Sequence, residues 1–268
     1  MTPSTTGVRE ILNDVWAAAP NDLWAVGAEG TVLHSNGTTW TPVTSSTTAY
    51  LNAVAGTSAS DIWAVGFDGA IIHYDGTSWS TVASGTTQTL SGVWAASGNE
   101  AWAVGLGGLI LRWNGSAWSP VSSGVTVGLL GVFGTSASNV FAVGMNGTIL
   151  RWNGTSWSPT MTGTTATFRR IWGASASELW AVSASGLVRR WNGTSWTVGT
   201  TFANSAYGIS GTAANDVWVS ASGGAIWRWN GSTWTRTLTQ ATASFYGVAP
   251  TSAGVWVVGE SGAVLRGP

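Results

Sequence analysis

The stretch Asp61-Ile-Trp-Ala-Val-Gly-Phe-Asp-Gly-Ala-Ile-Ile-His-Tyr-Asp-Gly-Thr-Ser-Trp79 decides the fold. It contains two apolar runs, each followed by an Asp-Gly pair, and it ends on a tryptophan. Its last five residues recur six times, as Asn-Gly-Thr-Ser-Trp or a close variant, at 36–40, 75–79, 114–118, 153–157, 192–196 and 230–234. Successive copies lie 39 residues apart, except the last, which follows after 38. A constant period of this length indicates one repeat architecture.

One repeat, Leu51 to Thr89, divides into four short runs of β-branched and aromatic residues, here called strands A to D. Gly-rich, Asp-Gly and Asn-Gly sequences separate them, and Asp-Gly and Asn-Gly supply the positive φ that two-residue hairpin turns require. No segment has helical periodicity over a useful length. Four strands in about 40 residues are typical of a β-propeller blade.

Strand A is marked by one β-branched residue that recurs seven times, at Val15, Val54, Val93, Val132, Ile171, Ile209 and Val248. We therefore predict an all-β fold, a seven-bladed β-propeller of four-stranded blades. It is a single domain of residues 1–268, with blades that start near residues 12, 51, 90, 129, 168, 206 and 245. Blade seven has no strand D of its own. Met1-Thr2-Pro3 aligns with Trp40-Thr41-Pro42, so residues 1–10 are predicted to complete blade seven and close the ring.

Composition excludes several kinds of partner. Charged residues make up 8% of the chain and the net charge is −1, so there is no basic surface for nucleic acid. No cysteine is present, and neither histidine has carboxylates clustered around it, so we predict no metal and no cofactor.

No apolar run reaches the ~18 residues of a membrane span, and we expect a soluble chain, taken as a monomer. The cellular location is undetermined. We expect an extracellular or cell-surface location if a leader peptide preceded Met1.

The run from Asp61 to Trp79 resembles the tectonin-type propeller repeat, in which Val-Trp-Ala-Val is followed by a Gly turn, an apolar strand with a basic residue, and a later Trp. The likeness covers every blade and looks like a related bacterial repeat with seven units. Tectonin-like proteins include lectins, so the resemblance implies sugar binding between or within blades. The Gly-His and Trp-Asp signals of WD40 repeats are missing.

A lectin would use aromatic faces to stack on sugars and polar side chains to bind hydroxyl groups. The aromatic candidates open strand D: Trp40, Trp79, Trp118, Trp157, Trp196 and Trp234. The polar candidates close strand C: Arg112, Arg151, Arg190 and Arg228. Each of these arginines pairs in sequence with an acid or Asn before strand B, as Arg112 does with Glu100, and a purely structural cross-strand pair is the competing interpretation.

Departures from the repeat favour a second class of function. The turn between strands B and C carries Phe67, Leu106 and Met145 in three consecutive blades, where the others have Ala, Ser or Glu. Blade five adds Arg169 and Arg170. These residues predict a partner face for protein interaction or scaffolding, the alternative to a lectin. No catalytic motif rises above the repeat, so we predict a non-enzymatic binding protein whose partner is a glycan or a protein.

Overall fold

The structure is a computed structural model and describes residues 1–237, 239 and 241–268. The first strand of the chain is β1 (Thr2–Ser4). Blade one consists of β2 (Leu12–Ala19), β3 (Asp22–Gly27), β4 (Val32–Ser35) and β5 (Trp40–Val43). Blade two consists of β6 (Leu51–Ser58), β7 (Asp61–Gly66), β8 (Ile71–Tyr74) and β9 (Trp79–Thr81). Blade three consists of β10 (Leu90–Ser97), β11 (Glu100–Gly105), β12 (Ile110–Trp113) and β13 (Trp118–Pro120).

The remaining blades repeat this order. Blade four consists of β14 (Leu129–Ser136), β15 (Asn139–Gly144), β16 (Ile149–Trp152) and β17 (Trp157–Pro159). Blade five consists of β18 (Phe168–Ser175), β19 (Glu178–Ser183), β20 (Leu187–Trp191) and β21 (Trp196–Thr201). Blade six consists of β22 (Ala206–Ala213), β23 (Asp216–Ala221), β24 (Ile226–Trp229) and β25 (Trp234–Thr237). Blade seven consists of β26 (Phe245–Thr251), β27 (Gly254–Gly259) and β28 (Val264–Gly267), joined by β1.

Each blade is an antiparallel sheet whose strands are neighbours in sequence and in space. The seven A strands contact one another in order, and β2 of blade one also contacts β26 of blade seven, which closes the ring. The predicted seven-bladed β-propeller is therefore confirmed. Strand A runs from one face of the ring to the other. We call the face with the turns between strands B and C the upper face, and the face with the turns between strands C and D the lower face.

The predicted closure by the N-terminal strand is also confirmed. In the register of β1 and β28, Thr2 pairs with Arg266, Pro3 with Leu265 and Ser4 with Val264. Proline is tolerated here because strand D is the outer edge of a blade. The N–H that proline lacks is therefore not needed for a hydrogen bond to another strand.

Turns between strands B and C follow the predicted hairpin geometry. In blade two, Asp68 (φ 56°) and Gly69 (φ 69°) are both left-handed, and the N–H of Ala70 donates to the carbonyl of Phe67 at 2.9 Å. Four of these turns are assigned as single 3-10 turns, Ala28–Gly30, Phe67–Gly69, Leu106–Gly108 and Glu260–Gly262. An Asp-Gly or equivalent pair therefore adopts the two positive φ angles that a two-residue hairpin turn requires.

The repeated Asn-Gly between strands C and D adopts a different turn from the one predicted. Only the glycine has positive φ, as at Gly76 (φ 93°), and four residues separate the strands instead of two. The Oδ1 atom of Asp75 accepts the N–H groups of Thr77 at 2.8 Å and Ser78 at 2.9 Å. Asn36 makes the same two bonds in blade one. The side-chain oxygen caps the loop, which is why Asn and Asp are interchangeable there.

Candidate functional site

The structure places the strand D tryptophans between blades. Trp40, Trp79, Trp118, Trp157 and Trp196 are buried, and Trp234 is half-buried. Trp118 of blade three meets Trp63 of blade two edge to face, with ring centroids 5.3 Å apart. The same contact joins Trp79 to Trp24, Trp157 to Trp102, Trp196 to Phe141 and Trp40 to Trp256. These rings anchor one blade to the next, and the five buried ones offer no free face to a sugar.

The two strand C histidines and four strand C arginines lie on the lower face, each beside the acid or amide predicted as its partner; the arginines are Arg112, Arg151, Arg190 and Arg228. His73 Nε2 lies 2.8 Å from Asp61 Oδ1, and the indole N–H of Trp63 donates to the same carboxylate oxygen at 3.2 Å. Arg112 bonds to Glu100 at 3.0 Å. The other pairs are Asp22 with His34, Glu178 with Arg190, Asp216 with Arg228 and Asn139 with Arg151. This geometry supports the structural interpretation, and ligand binding by these arginines stays a prediction.

The upper face carries a funnel that leads into the central channel. Its apolar side is formed by blades two to four, where Phe67 is 45% exposed, Leu106 42% and Met145 38%. Tyr50 packs on Phe67 with ring centroids 4.9 Å apart. Leu106 and Met145 both lie over Gly128, where a Cβ atom would come within 3.2 and 3.3 Å of them. The three predicted apolar residues therefore form one arc.

The opposite side of the funnel is aromatic and charged. The guanidinium of Arg169 lies 4.9 Å from the ring centre of Tyr207, which in turn meets Tyr246 edge to face at 5.1 Å. The hydroxyl of Tyr246 donates to Glu260 Oε1 at 3.0 Å. Desolvation, followed by this hydrogen bond and the Glu260 charge, raises the pKa of Tyr246 to about 12. Tyr246 therefore stays neutral and fixed, and it supports Tyr207 under Arg169.

Arg170 forms the floor of the funnel. Its guanidinium donates to the carbonyl oxygens of Leu130 at 2.7 Å and Asn52 at 3.0 Å, so it reaches across the channel to blades four and two. The cavity above it has a volume of 630 Å³ and is lined by residues that include Tyr50, Leu106 and Arg169. That volume lies within the range of ligand sites in proteins.

Both funnel arginines lack a carboxylate partner. No salt bridge within 4.0 Å joins Arg169 or Arg170 to an acid among residues 1–237, 239 and 241–268. The Nε atom of Arg169 is buried and has no hydrogen-bond partner. Apart from this buried Nε, a guanidinium that lacks a carboxylate partner can donate its terminal N–H groups to a carbonyl or carboxylate of a binding partner.

A second cavity occupies the lower part of the channel, on the other side of Arg170. It has a volume of 380 Å³, and its most prominent side chains are Trp16, Trp94, Phe133 and Trp172. The sequence interpretation missed these residues. A signal was nevertheless present, since Trp16, Trp94 and Trp172 are three of the four tryptophans that belong to none of the repeated columns.

The described part of the chain has neither a metal-binding cluster nor a membrane-spanning helix. No group of three or more His, Cys, Asp or Glu side chains in the described part of the chain is arranged to hold a metal ion. Across those same residues, no helix has the length and apolar character needed to cross a membrane.

Comparison with known proteins establishes the fold alone. No family model matches the chain, and no curated protein matches it in sequence. Among solved structures, the WD40 β-propeller domain of Doa1 is similar with a TM-score of 0.83 at 17% identity, covering 99% of this chain and 95% of that one. YCF48 from Cyanidioschyzon merolae has a TM-score of 0.78 at 19% identity, with coverage of 99% and 98%.

A structure described as YCF48 bound to D1 peptide is also similar, with a TM-score of 0.79 at 19% identity and coverage of 99% of this chain and 94% of that one. At such identities the likeness extends to the architecture and not to the site residues. The tectonin-type resemblance and the bacterial origin stay predictions. In fold, the chain is similar to WD40 and YCF48 seven-bladed β-propellers.

Proposed function

We propose that this chain is a non-enzymatic interaction propeller that binds a protein segment in the upper funnel. The observation that carries the proposal is the pairing of an exposed apolar arc with an arginine that has no carboxylate partner among the described residues. Phe67, Leu106 and Met145 form the arc, and Phe67 and Leu106 line one cavity together with Arg169 of blade five. Exposed apolar surface of this kind marks interaction sites.

The chemistry of the funnel describes the segment that fits it. Aliphatic or aromatic side chains would cover the arc, while a carboxylate would accept hydrogen bonds from Arg169. Charge-assisted bonds of this kind are about twice as strong as neutral ones. Arg170 is less available, because its donors already hold the carbonyls of Leu130 and Asn52. We therefore assign recognition to Arg169 and support of the floor to Arg170.

Similar folds support the class of partner. The YCF48 structure cited above contains a peptide, which gives a precedent for peptide binding by a propeller of this architecture. The lectin hypothesis has less support, since the tryptophans proposed to stack on sugars are packed against neighbouring blades. A glycan array remains the direct test of that alternative. Signals competed by free sugar and lowered by Trp118→Ala would favour the lectin.

A selection from a random dodecapeptide library tests the proposed function. Enriched peptides are expected to combine apolar residues with Asp or Glu, and their affinity should fall by about tenfold or more in Leu106→Ser/Met145→Ser, which is about 1.4 kcal/mol. Val198→Ser is the matched control, because Val198 is 64% exposed on the outer strand β21, away from the funnel.

A mutant cycle isolates Arg169. Replacing the acidic residue of a selected peptide by its amide should weaken binding to the wild type but not to Arg169→Gln, in which the charge is already absent. An absence of enriched peptides, or peptides whose affinity is unchanged in every funnel variant, would overturn the proposal.

A further inference from the structure

The lower channel is lined by a ring of positions that breaks the repeat. One residue after each strand A marker, four blades carry an aromatic side chain and three carry a small one. The aromatic members are Trp16, Trp94, Phe133 and Trp172, and the small members are Ala55, Ser210 and Ala249. All four aromatic side chains are half-buried, so part of each ring faces the channel.

The three indoles lie along the channel wall and leave the axis open. A Cβ atom at Gly56 would come within 2.8 Å of Trp16, one at Gly134 within 2.5 Å of Trp94, and one at Gly211 within 2.6 Å of Trp172. Each tryptophan therefore rests on a glycine of the next blade. Because the tips of the rings are held at blade boundaries, they enclose the 380 Å³ cavity instead of filling it.

The inner end of this cavity holds one negative and one positive group. At the strand A position that is Gly or Ala in five blades, blade one has Asp14 and blade five has Arg170. The carboxylate of Asp14 accepts the N–H groups of Val15 at 3.0 Å and Val54 at 3.2 Å. The donors of Arg170 already hold backbone carbonyls, whereas each oxygen of Asp14 accepts a single N–H and keeps a lone pair for a ligand.

The direction of the Val54 N–H identifies further donors. This N–H points toward the channel, where it donates to Asp14. Strands A and B of blades three and four pair in the same register as those of blade two, so their N–H groups at this position point in the same direction. The equivalent N–H groups of Val93 and Val132 therefore face the channel as well. Aromatic walls with a few convergent polar groups are the usual composition of a small-molecule site.

We propose that the lower channel is a second binding site, separate from the funnel, for a small neutral planar ligand whose edge carries both a donor and an acceptor, as an aromatic amide does. Its faces would stack on the indoles of Trp16, Trp94 and Trp172. A charged ligand would lose its hydration in this channel without gaining a free counter-charge, because Arg170 already interacts with the buried Asp14, so the site favours a neutral ligand.

Three probes of the same ring and nearly the same size test this site: benzamide, benzoate and benzylamine, which are neutral, anionic and cationic near pH 7. Saturation-transfer NMR with the intact chain should give saturable binding of benzamide that is at least about threefold tighter than that of either charged probe. The size of a single ring limits its affinity to roughly the millimolar range.

The blocking variant is Ala55→Phe, because blade four already carries a ring, Phe133, at the equivalent position. It should weaken benzamide binding by about tenfold. The matched control is Ala28→Phe at the upper mouth, where blade two carries Phe67, and it should leave benzamide binding unchanged. If circular dichroism shows that Ala55→Phe does not fold, Ser210→Phe fills the same cavity from blade six.

Two results would overturn the proposal. Benzamide that gives no saturable signal, or one that persists in both filling variants, would show that the tryptophans only pack the channel. Equal or tighter binding of benzoate or benzylamine would refute the choice of a neutral ligand. Neither result bears on peptide binding in the funnel, which lies above Arg170.

Discussion

Asp61 illustrates how a repeated residue braces a blade. Its carboxylate accepts hydrogen bonds from Thr57 and Trp63 and contacts His73, which belong to three different strands of one sheet. The His73 contact is the largest of the influences that hold the pKa of Asp61 below its ordinary value of 3.8, and desolvation opposes them only in part. The ionised form of Asp61 therefore stabilises the folded state.

This lowered pKa predicts a pH-dependent cost for Asp61→Asn. A depressed folded-state pKa gives stability that is present above the unfolded value and is lost as pH falls through the folded value. We expect urea unfolding to show a loss of about 1–2 kcal/mol at about pH 7, which shrinks as the pH falls below the ordinary pKa of 3.8 and through the lower folded-state pKa.

Asp75→Asn is the matched control for that measurement. The pKa of Asp75 is also lowered, first by the N–H of Ser78, but Asp75 is an exposed turn residue and five other blades carry Asn in its place. Its substitution should change stability little. Equal losses in the two variants at neutral pH, or a loss in Asp61→Asn that persists at low pH, would contradict the bracing role.

At the scale of the element, the turn between strands B and C requires glycine for two separate reasons. Gly69 has φ +69°, and a Cβ atom there would lie 2.0 Å from the backbone oxygen of Thr86 in the loop that follows strand D. Gly85 has nearly the same dihedral, φ +73°, with nothing within 4 Å of an added Cβ. Alanine substitutions at Gly69 and Gly85 therefore separate the cost of backbone strain, which both share, from the cost of steric overlap, which only Gly69 has.

Gly69→Ala should therefore destabilise the protein more than Gly85→Ala. We expect about 1 kcal/mol for Gly85→Ala, which has strain alone, and at least about 2 kcal/mol more for Gly69→Ala, because the overlap is with backbone that must move. Urea midpoints of the two variants measure the difference. Losses of the same size would show that the loop yields freely to the added methyl group.

The sequence specified these elements unevenly. Strand order and the turn at Asp68-Gly69 follow from local propensity, so both could be read in advance. The turn at Asp75-Gly76 could not, because its shape depends on a hydrogen bond that the Thr77 N–H donates to the side chain of Asp75, which composition does not reveal. Trp118 could be singled out as a member of a repeated tryptophan column, but its burial against Trp63 had to be seen in three dimensions.

For the whole molecule, ring closure is the feature with the largest consequence. The strand β1 covers the edge of β28, and the sulfur of Met1 would lie within 3.1 Å of a Cβ atom at Gly267. Removing residues 1–4 should lower the free energy of unfolding by about 2–3 kcal/mol, from the lost hydrogen bonds and the packing of Met1, and should promote aggregation through the exposed edge.

A circular permutant supplies the control. If residues 1–10 follow Gly267 through an Asn-Gly-Thr-Ser turn, β1 becomes an ordinary strand D, and stability should recover. Urea unfolding and light scattering check both proteins. A truncated chain that is as stable and as monodisperse as the full chain would show that β1 contributes nothing to closure.

The proposed binding face also belongs to the whole molecule. The apolar turns and the arginines of blade five could be singled out as departures from the repeat. Their assembly into one funnel could not, since Arg170 contacts Asn52, which is 118 residues away in sequence. The shared cavity of Trp16, Trp94 and Trp172 could not be predicted either, because these residues meet only when the ring places their blades around a common axis. The repeat therefore predicts the ring. The side chains that depart from the repeat can be assigned to a cavity only from the three-dimensional structure of that ring.

Fluorescence anisotropy of a labelled peptide from the library selection tests the central claim, that the upper funnel binds a protein segment. Wild type and Val198→Ser should bind it with the same affinity. Phe67→Ser/Leu106→Ser/Met145→Ser should bind it about a hundredfold more weakly, since each truncation removes roughly 1 kcal/mol of apolar contact. Equal affinity of the wild type and the triple variant would contradict the claim and place the binding site elsewhere on the propeller.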